Sequence, residues 1–208
     1  MSVERVAAYI DGFNLYHGLI DASLLSSRWL DLRAMCTSLL KPHQQLDLVR
    51  YFTTRVSNDP AKQTRQGTYL DALTAHGGVD IDYGHFLSKT VQCKQCGNTW
   101  QRPEEKKTDV NIAVRLLDDA YDNLFDVAFV VSGDSDLVPP IESARRRHPE
   151  KTIIVAFPPK RRSAELSRVS HAAFPIRNSV IRKSRLPDPV VKASGHELHA
   201  PHGWLPKT

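Results

Sequence analysis

Two short apolar runs in this chain end in acidic turns. Val6-Ala7-Ala8-Tyr9-Ile10 leads into Asp11-Gly12-Phe13-Asn14, and Val127-Ala128-Phe129-Val130-Val131 leads into Ser132-Gly133-Asp134-Ser135-Asp136. Continuous apolar runs of this length, bounded by turn residues, predict strands buried on both faces of a parallel sheet. Helical patterns follow from near Asn14 and again from Leu30 to about Lys41-Pro42. Leu46 to Thr53 alternates as a strand. Asn58-Asp59-Pro60 signals a helix start, with Asp59 as N-cap and Pro60 at the first position, and that helix runs to about His76 before Gly77-Gly78. Val79 to Leu87 carries Asp80 and Asp82 in alternation and predicts an edge strand. Residues 88–107 are polar and predict a loop. Thr108 is expected to cap a helix whose apolar positions are Val110, Ala113, Val114, Leu117, Ala120 and Tyr121. After strand 127–132 come a helix from about Leu137 to Arg147, with Pro139 and Pro140 in its first turn. A β-branched strand from Thr152 to Phe157, a helix over Ser163 to Val169 and a last short strand at Phe174-Pro175-Ile176 follow. From Arg185 onward proline, histidine and glycine dominate, which predicts a segment with little structure of its own. The alternation of strands and helices predicts an α/β fold of three layers, a doubly wound, mainly parallel sheet flanked by helices. Residues 1–187 would form its single domain, with 188–208 as a C-terminal tail.

In an open parallel sheet, ligands bind beyond the carboxyl ends of the strands. The two acidic turns therefore bring Asp11, Asn14, Asp134 and Asp136 to one rim. Clustered carboxylates repel one another, and a hard divalent cation is the usual remedy. Each motif also has a plainer explanation. Asp11-Gly12-Phe13-Asn14 serves as an ordinary strand-to-helix turn, and Asp136 as an ordinary helix cap. In the second turn Ser132 and Ser135 can hydrogen-bond carboxylates or phosphate. Asp109, in the first turn of a helix, suits the helix dipole, but Glu104-Glu105-Lys106-Lys107-Thr108-Asp109 gathers acids and lysines beside it. Lys106 or Lys107 is placed to meet a phosphate or developing charge. Gly133-Asp134-Ser135 also resembles the nucleophile block of GDSL-type esterases. That block belongs near an N-terminus with an Asp-x-x-His pair near the C-terminus, and this chain has neither arrangement. His196-Glu197-Leu198-His199 spaces its histidines three apart, where a zinc protease helix needs four.

The chain has 208 residues, 41% of them hydrophobic, enough for one domain with a real core. It contains no apolar run near the ~18 residues of a membrane span and opens on a strand pattern rather than a signal peptide, so a cytoplasmic protein without membrane association is expected. The net charge of +5 is concentrated late, in Arg145-Arg146-Arg147-His148, Lys160-Arg161-Arg162 and Arg182-Lys183-Ser184-Arg185. A basic rim around an acidic pocket suits a nucleic acid held by its backbone, with Phe13 and Tyr16 near enough to stack on a base. Three cysteines argue against a disulfide framework. Cys93-Lys94-Gln95-Cys96 supplies half of a structural zinc site, to be completed by His85 or by a second copy of the chain in a homodimer. The rival is a flexible loop with two free thiols.

Three blocks in order, Tyr9-Ile-Asp-Gly-Phe-Asn-Leu-Tyr16, Glu105-Lys-Lys-Thr-Asp-Val-Asn-Ile-Ala-Val114 and Val130-Val-Ser-Gly-Asp-Ser-Asp-Leu137, resemble the NYN domain family, a PIN-like group of nucleases that includes LabA-like proteins. The resemblance runs from about Val3 to Pro187. It implies a PIN-like, Rossmann-like fold and a metal-dependent ribonuclease using Mg²⁺ or Mn²⁺, with single-stranded RNA as substrate. Asp11, Asp109 and Asp134 would be the metal carboxylates, Asp136 a fourth acid, and Asn14 a partner orienting Asp11 or the substrate. Two other readings use the same residues: a catalytically silent RNA-binding regulator, and a phosphatase acting on a small ester. The arginine clusters argue against the second, since a small ester does not need them.

Overall fold

A computed structural model describes residues 3–56, 59–92 and 95–206; the side chains of 85–91 and 100–106 lie outside that description. The apolar run at the N-terminus forms β1 (Glu4–Asp11), followed by α1 (Gly12–Asp21), α2 (Leu32–Thr37), β2 (Gln44–Thr53), α3 (Pro60–His76) and β3 (Asp80–Tyr83). The chain then forms β4 (His85–Gln92) and β5 (Thr99–Lys106), crosses the sheet through α4 (Thr108–Tyr121), and continues through β6 (Val127–Val131), α5 (Val138–Arg147), β7 (Thr152–Phe157), α6 (Ala164–Val169), β8 (Ala172–Pro175) and α7 (Asn178–Lys183). Two short strands, β9 (Val190–Val191) and β10 (Glu197–Leu198), pair antiparallel near the end.

The six strands of the main sheet lie in the order β3-β2-β1-β6-β7-β8, and every neighbouring pair is parallel. This is the expected three-layer α/β architecture. The order runs outward from β1 in one direction and outward from β6 in the other, so the crevice of the fold opens between those two strands. Alternate residues of β1 serve opposite cores. Val6, Ala8 and Ile10 pack with α1, α2 and α3, while Ala7 and Tyr9 pack with α4, α5 and α6. A buried polar cluster pins α4 to the sheet. Arg50 of β2 donates twice to the Asp119 carboxylate, at 2.7 and 3.0 Å, and the Tyr9 hydroxyl donates to it at 2.8 Å.

Several expectations need correction. The second helix is only Leu32–Thr37, capped by the Asp31 carboxylate on the Ala34 N–H. The Thr37 and Ser38 hydroxyls donate back to the carbonyls of Arg33 and Ala34, an interaction that competes with helix continuation. Val79 to Leu87 is not one strand, and 88–107 is not a loop. The sheet strand stops at Tyr83, where the Gly84 N–H bonds the Thr53 carbonyl, and the chain leaves as the β4–β5 hairpin in register from His85↔Lys106 to Gln92↔Thr99. Thr108 is the first residue of α4 rather than its cap. The cap position is Lys107, in the left-handed region at φ 77°, where a residue other than glycine is strained. The segment after Arg185 is not loose. Leu186, Val190, Leu198 and Trp204 are buried in the core on the α3 side, between 3% and 7% exposed, and α7 precedes them. Residues 188–206 thus complete the domain's packing instead of trailing from it.

Candidate functional site

β1 and β6 are neighbours, in register through Ile10↔Val131, so the residues just past their ends share one rim. Asp11 caps α1, its Oδ1 accepting the Asn14 N–H at 2.9 Å. Its Oδ2 accepts the Ser132 hydroxyl at 2.9 Å, and the same hydroxyl oxygen accepts the Asp134 N–H at 3.1 Å. The Asn14 side-chain oxygen accepts the Gly133 N–H at 2.9 Å. Asp134 in turn caps the turn that follows, its Oδ1 accepting the Asp136 N–H at 3.0 Å. One connected set of bonds therefore joins two loops that lie more than a hundred residues apart in sequence.

Close backbone approach requires the two glycines of these loops. A Cβ on Gly12 would sit 2.6 Å from the Phe52 carbonyl oxygen, and one on Gly133 would sit 3.1 Å from the backbone carbon of Arg161. The third carboxylate arrives from α4. The buried Thr108 hydroxyl lies 3.3 Å from that of Thr54, just past β2, which docks the helix start onto the same rim.

Asp11, Asp109 and Asp134 converge: each offers an oxygen, and the three oxygens lie within 4.8 Å of one another. Burial pushes the Asp11 carboxyl above its usual range, against the opposing pull of its hydrogen bonds. Burial, together with the charges of Asp11, Asp134 and Asp136, pushes Asp109 up to about 6. Ionising all three is costly unless a cation joins them, and the all-oxygen donor set suits a hard divalent ion.

The other expected residues are placed as follows. Asp136 and Ser135 are exposed and outside the converging trio, although Asp136 is near enough to act on Asp109. Ser132 is fully buried and spent on the two aspartate loops, and Asn14 holds the Gly133 loop. Lys107 is exposed, and the side chain of Lys106 lies outside the described residues. Cys36 is buried in α2, Cys96 is exposed at the tip of the hairpin, and Cys93 lies outside the described residues. His85 stands at the hairpin's base opposite Lys106. Seven residues of strand, roughly 23 Å at ~3.3 Å per residue, separate that base from the tip, so His85 does not join Cys96 in one zinc site. Of the basic clusters, Lys160-Arg161-Arg162 follows β7 and abuts Gly133 on the acidic rim. Arg145-Arg146-Arg147 ends α5 at the opposite, amino end of the sheet, and does not flank the carboxylates.

The NYN domain model matches residues 5–176. This chain belongs to the NYN domain family. The family is one of PIN-like nucleases, and the NYN match spans all three acidic blocks. A similar protein is 6-hydroxy-3-succinoylpyridine 3-monooxygenase of Pseudomonas putida, 25% identical over 189 aligned residues covering 74% of this chain and 59% of that protein. This NYN chain therefore spans about three-fifths of that relative's length. A crystal structure of a protein of unknown function from Vibrio parahaemolyticus shares the fold, with a TM-score of 0.52 and 20% identity, covering 84% of this chain and 94% of that one. Among the described residues, no helix is long and apolar enough to cross a membrane.

Sequence reasoning missed what lies beside the NYN acids. A cavity of about 460 Å³ opens between α1 and α3, with Tyr16, Tyr51, Tyr69 and Trp204 among its walls and Lys62 and Arg65 among its lining. The signal was present in α3, where Lys62, Arg65, Gln66 and Tyr69 recur at helical spacing on one face. Trp204 gave no such signal, because it stands among turn residues.

Proposed function

We propose that this NYN domain is a ribonuclease that hydrolyses phosphodiester bonds of single-stranded RNA in the cytoplasm, with Asp11, Asp109 and Asp134 holding Mg²⁺ or Mn²⁺. The convergence of three carboxylate oxygens within 4.8 Å, from loops that only the folded sheet unites, carries the reading. When bound, a divalent cation supplies neutralising charge at the phosphate and makes a neighbouring water more acidic. The chain's own residues do the rest. Ser132 and Asn14 hold the two aspartate loops at fixed spacing. Asp109, whose raised proton affinity reflects burial and then its charged neighbours, would be held ionised by a cation at the site. Asp136, exposed at the lip, is placed to order water or accept a proton near the reacting phosphate. Lys160 and Arg162, exposed beside the Gly133 loop, would hold the RNA backbone.

The test is cleavage of end-labelled single-stranded RNA in EDTA, Mg²⁺ and Mn²⁺, with Asp134→Asn beside the wild type. Cleavage by the wild type in metal alone, and its loss in the variant, is the expected result. RNA binding with no cleavage under any condition would make the protein a silent RNA-binding regulator.

One observation favours a second reading. The Pseudomonas putida relative acts by name on a substituted pyridine, and the aromatic-walled cavity is of a size for such a ring. Consumption of dioxygen on adding that pyridine and a two-electron reductant would establish an oxygenase instead.

A further inference from the structure

The cavity between α1 and α3 adjoins the carboxylates through shared chain. Gly12 and Phe13, the two residues after Asp11, belong to its lining. Its walls are aromatic and its contents mixed in a specific way. The Tyr69 ring meets Trp204 edge-on at 5.8 Å and Tyr51 at 6.5 Å. Tyr16, half-buried on α1, lines the same space. Three cations also line it: Lys62 and Arg65 from α3, and Arg28, whose guanidinium stands 5.0 Å over the Trp204 ring. Gln66 is spent on the wall, donating to the Thr54 carbonyl and accepting from the Val56 N–H. The Trp204 indole N–H, in a residue only 6% exposed, has no hydrogen-bond partner among the described residues.

We propose that this cavity is a nucleobase pocket, which takes one unstacked base of the strand whose phosphodiester lies at the three carboxylates. The inference rests on the nuclease reading for that strand's identity. An uncharged aromatic ligand would use the rings and leave the cations idle. A nucleotide uses both: the base stacks on aromatic faces, and the flanking phosphates meet Arg65 and Lys62. A strand whose base is seated here turns its adjoining phosphate toward the carboxylates at Asp11.

The test begins without metal or turnover. In EDTA, intrinsic fluorescence is titrated with adenosine 5′-monophosphate. Saturable quenching is expected in the wild type, its loss in Trp204→Phe, and an about tenfold weaker Kd in both Tyr16→Ala and Arg65→Ala. Thermal melts of each variant establish that the fold is kept, and Arg65→Ala removes only a rim cation. In Mn²⁺, the same two variants should raise KM for single-stranded RNA about tenfold with a smaller change in kcat. Cleavage of RNA without any saturable nucleotide quenching would overturn the pocket and leave the nuclease standing. Quenching that survives in Trp204→Phe would place the nucleotide elsewhere and overturn the pocket equally. Quenching by 6-hydroxy-3-succinoylpyridine but not by the nucleotide would overturn it in favour of a small aromatic ligand. Nucleotide binding with the expected variant pattern but no RNA cleavage would keep the pocket and overturn the nuclease.

Discussion

Replacing Asp109 by asparagine should make the metal-free protein more stable and the metal-loaded protein less so. The carboxyl is pushed from 3.8 to about 6 by burial and by the charges of Asp11, Asp134 and Asp136. A shift of about two pH units corresponds to ~3 kcal/mol. Asp109 is only partly buried, and solvent screening reduces this to about 1–2 kcal/mol. The favourable interaction of the charge with the start of α4 opposes it by roughly 0.5 kcal/mol. Because the folded-state value is raised, the stabilisation belonging to this group is complete below about pH 4 and is lost as pH rises through about 6. In EDTA, the melting temperature of Asp109→Asn should therefore exceed that of the wild type at pH 7.5 by about 2–6 °C. The gap should shrink as pH falls from 6 towards 4. With Mn²⁺ at 100 times its dissociation constant the wild type gains about 2.7 kcal/mol, and the variant gains little, so the order reverses. Melts at pH 4.5 and 7.5, with EDTA or Mn²⁺, measure all of this. A variant less stable than the wild type in EDTA at pH 7.5, or one that gains equally from Mn²⁺, would refute the reasoning.

Other perturbations act on the supports of the site. Arg50→Ala leaves Asp119 charged and buried at 3% exposure; a loss of about 3–5 kcal/mol is expected, read as a fall of roughly 10 °C or more in thermal melts, with Arg50→Lys recovering part. Ser132→Ala removes the hydroxyl that joins Asp11 to the Asp134 loop. Calorimetric titration should show Mn²⁺ binding weaker by about tenfold or more, and urea unfolding a loss of about 1–3 kcal/mol. Gly12→Ala puts a methyl 2.6 Å from the Phe52 carbonyl; overpacking should cost about 1–3 kcal/mol and reduce Mn²⁺ affinity, because the same backbone carries Asp11.

What could be read from residues alone follows from which physical constraint wrote them. A strand buried on both faces has no room for polar residues, so β1 and β6 stand out as unbroken apolar runs and their acidic ends declare the rim. Asp109 does not stand out by itself, since a first-turn acid is ordinary chemistry at a helix start; the match of three blocks in order singles it out. The β4–β5 hairpin is not legible in the sequence, because a two-stranded ladder satisfies its backbone without needing the unbroken apolar run that marks a buried strand. The C-terminal segment is hidden for another reason. Its four buried anchors, Leu186, Val190, Leu198 and Trp204, are widely spaced among proline and glycine, and composition averages them away. The α3 face of the pocket is legible from its helical spacing, whereas Trp204 on its wall is not.

The register of β1 against β6 also dictates when during synthesis the three carboxylates can meet. Asp11 emerges from the ribosome early, but its partners wait for the crossover helix and for the strand ending at Val131. A nascent chain halted before that strand carries Asp11 and Asp109 but lacks Asp134 and the strand that sets it beside them. The meeting of the three carboxylates is thus a late consequence of long-range topology rather than a nucleus for it.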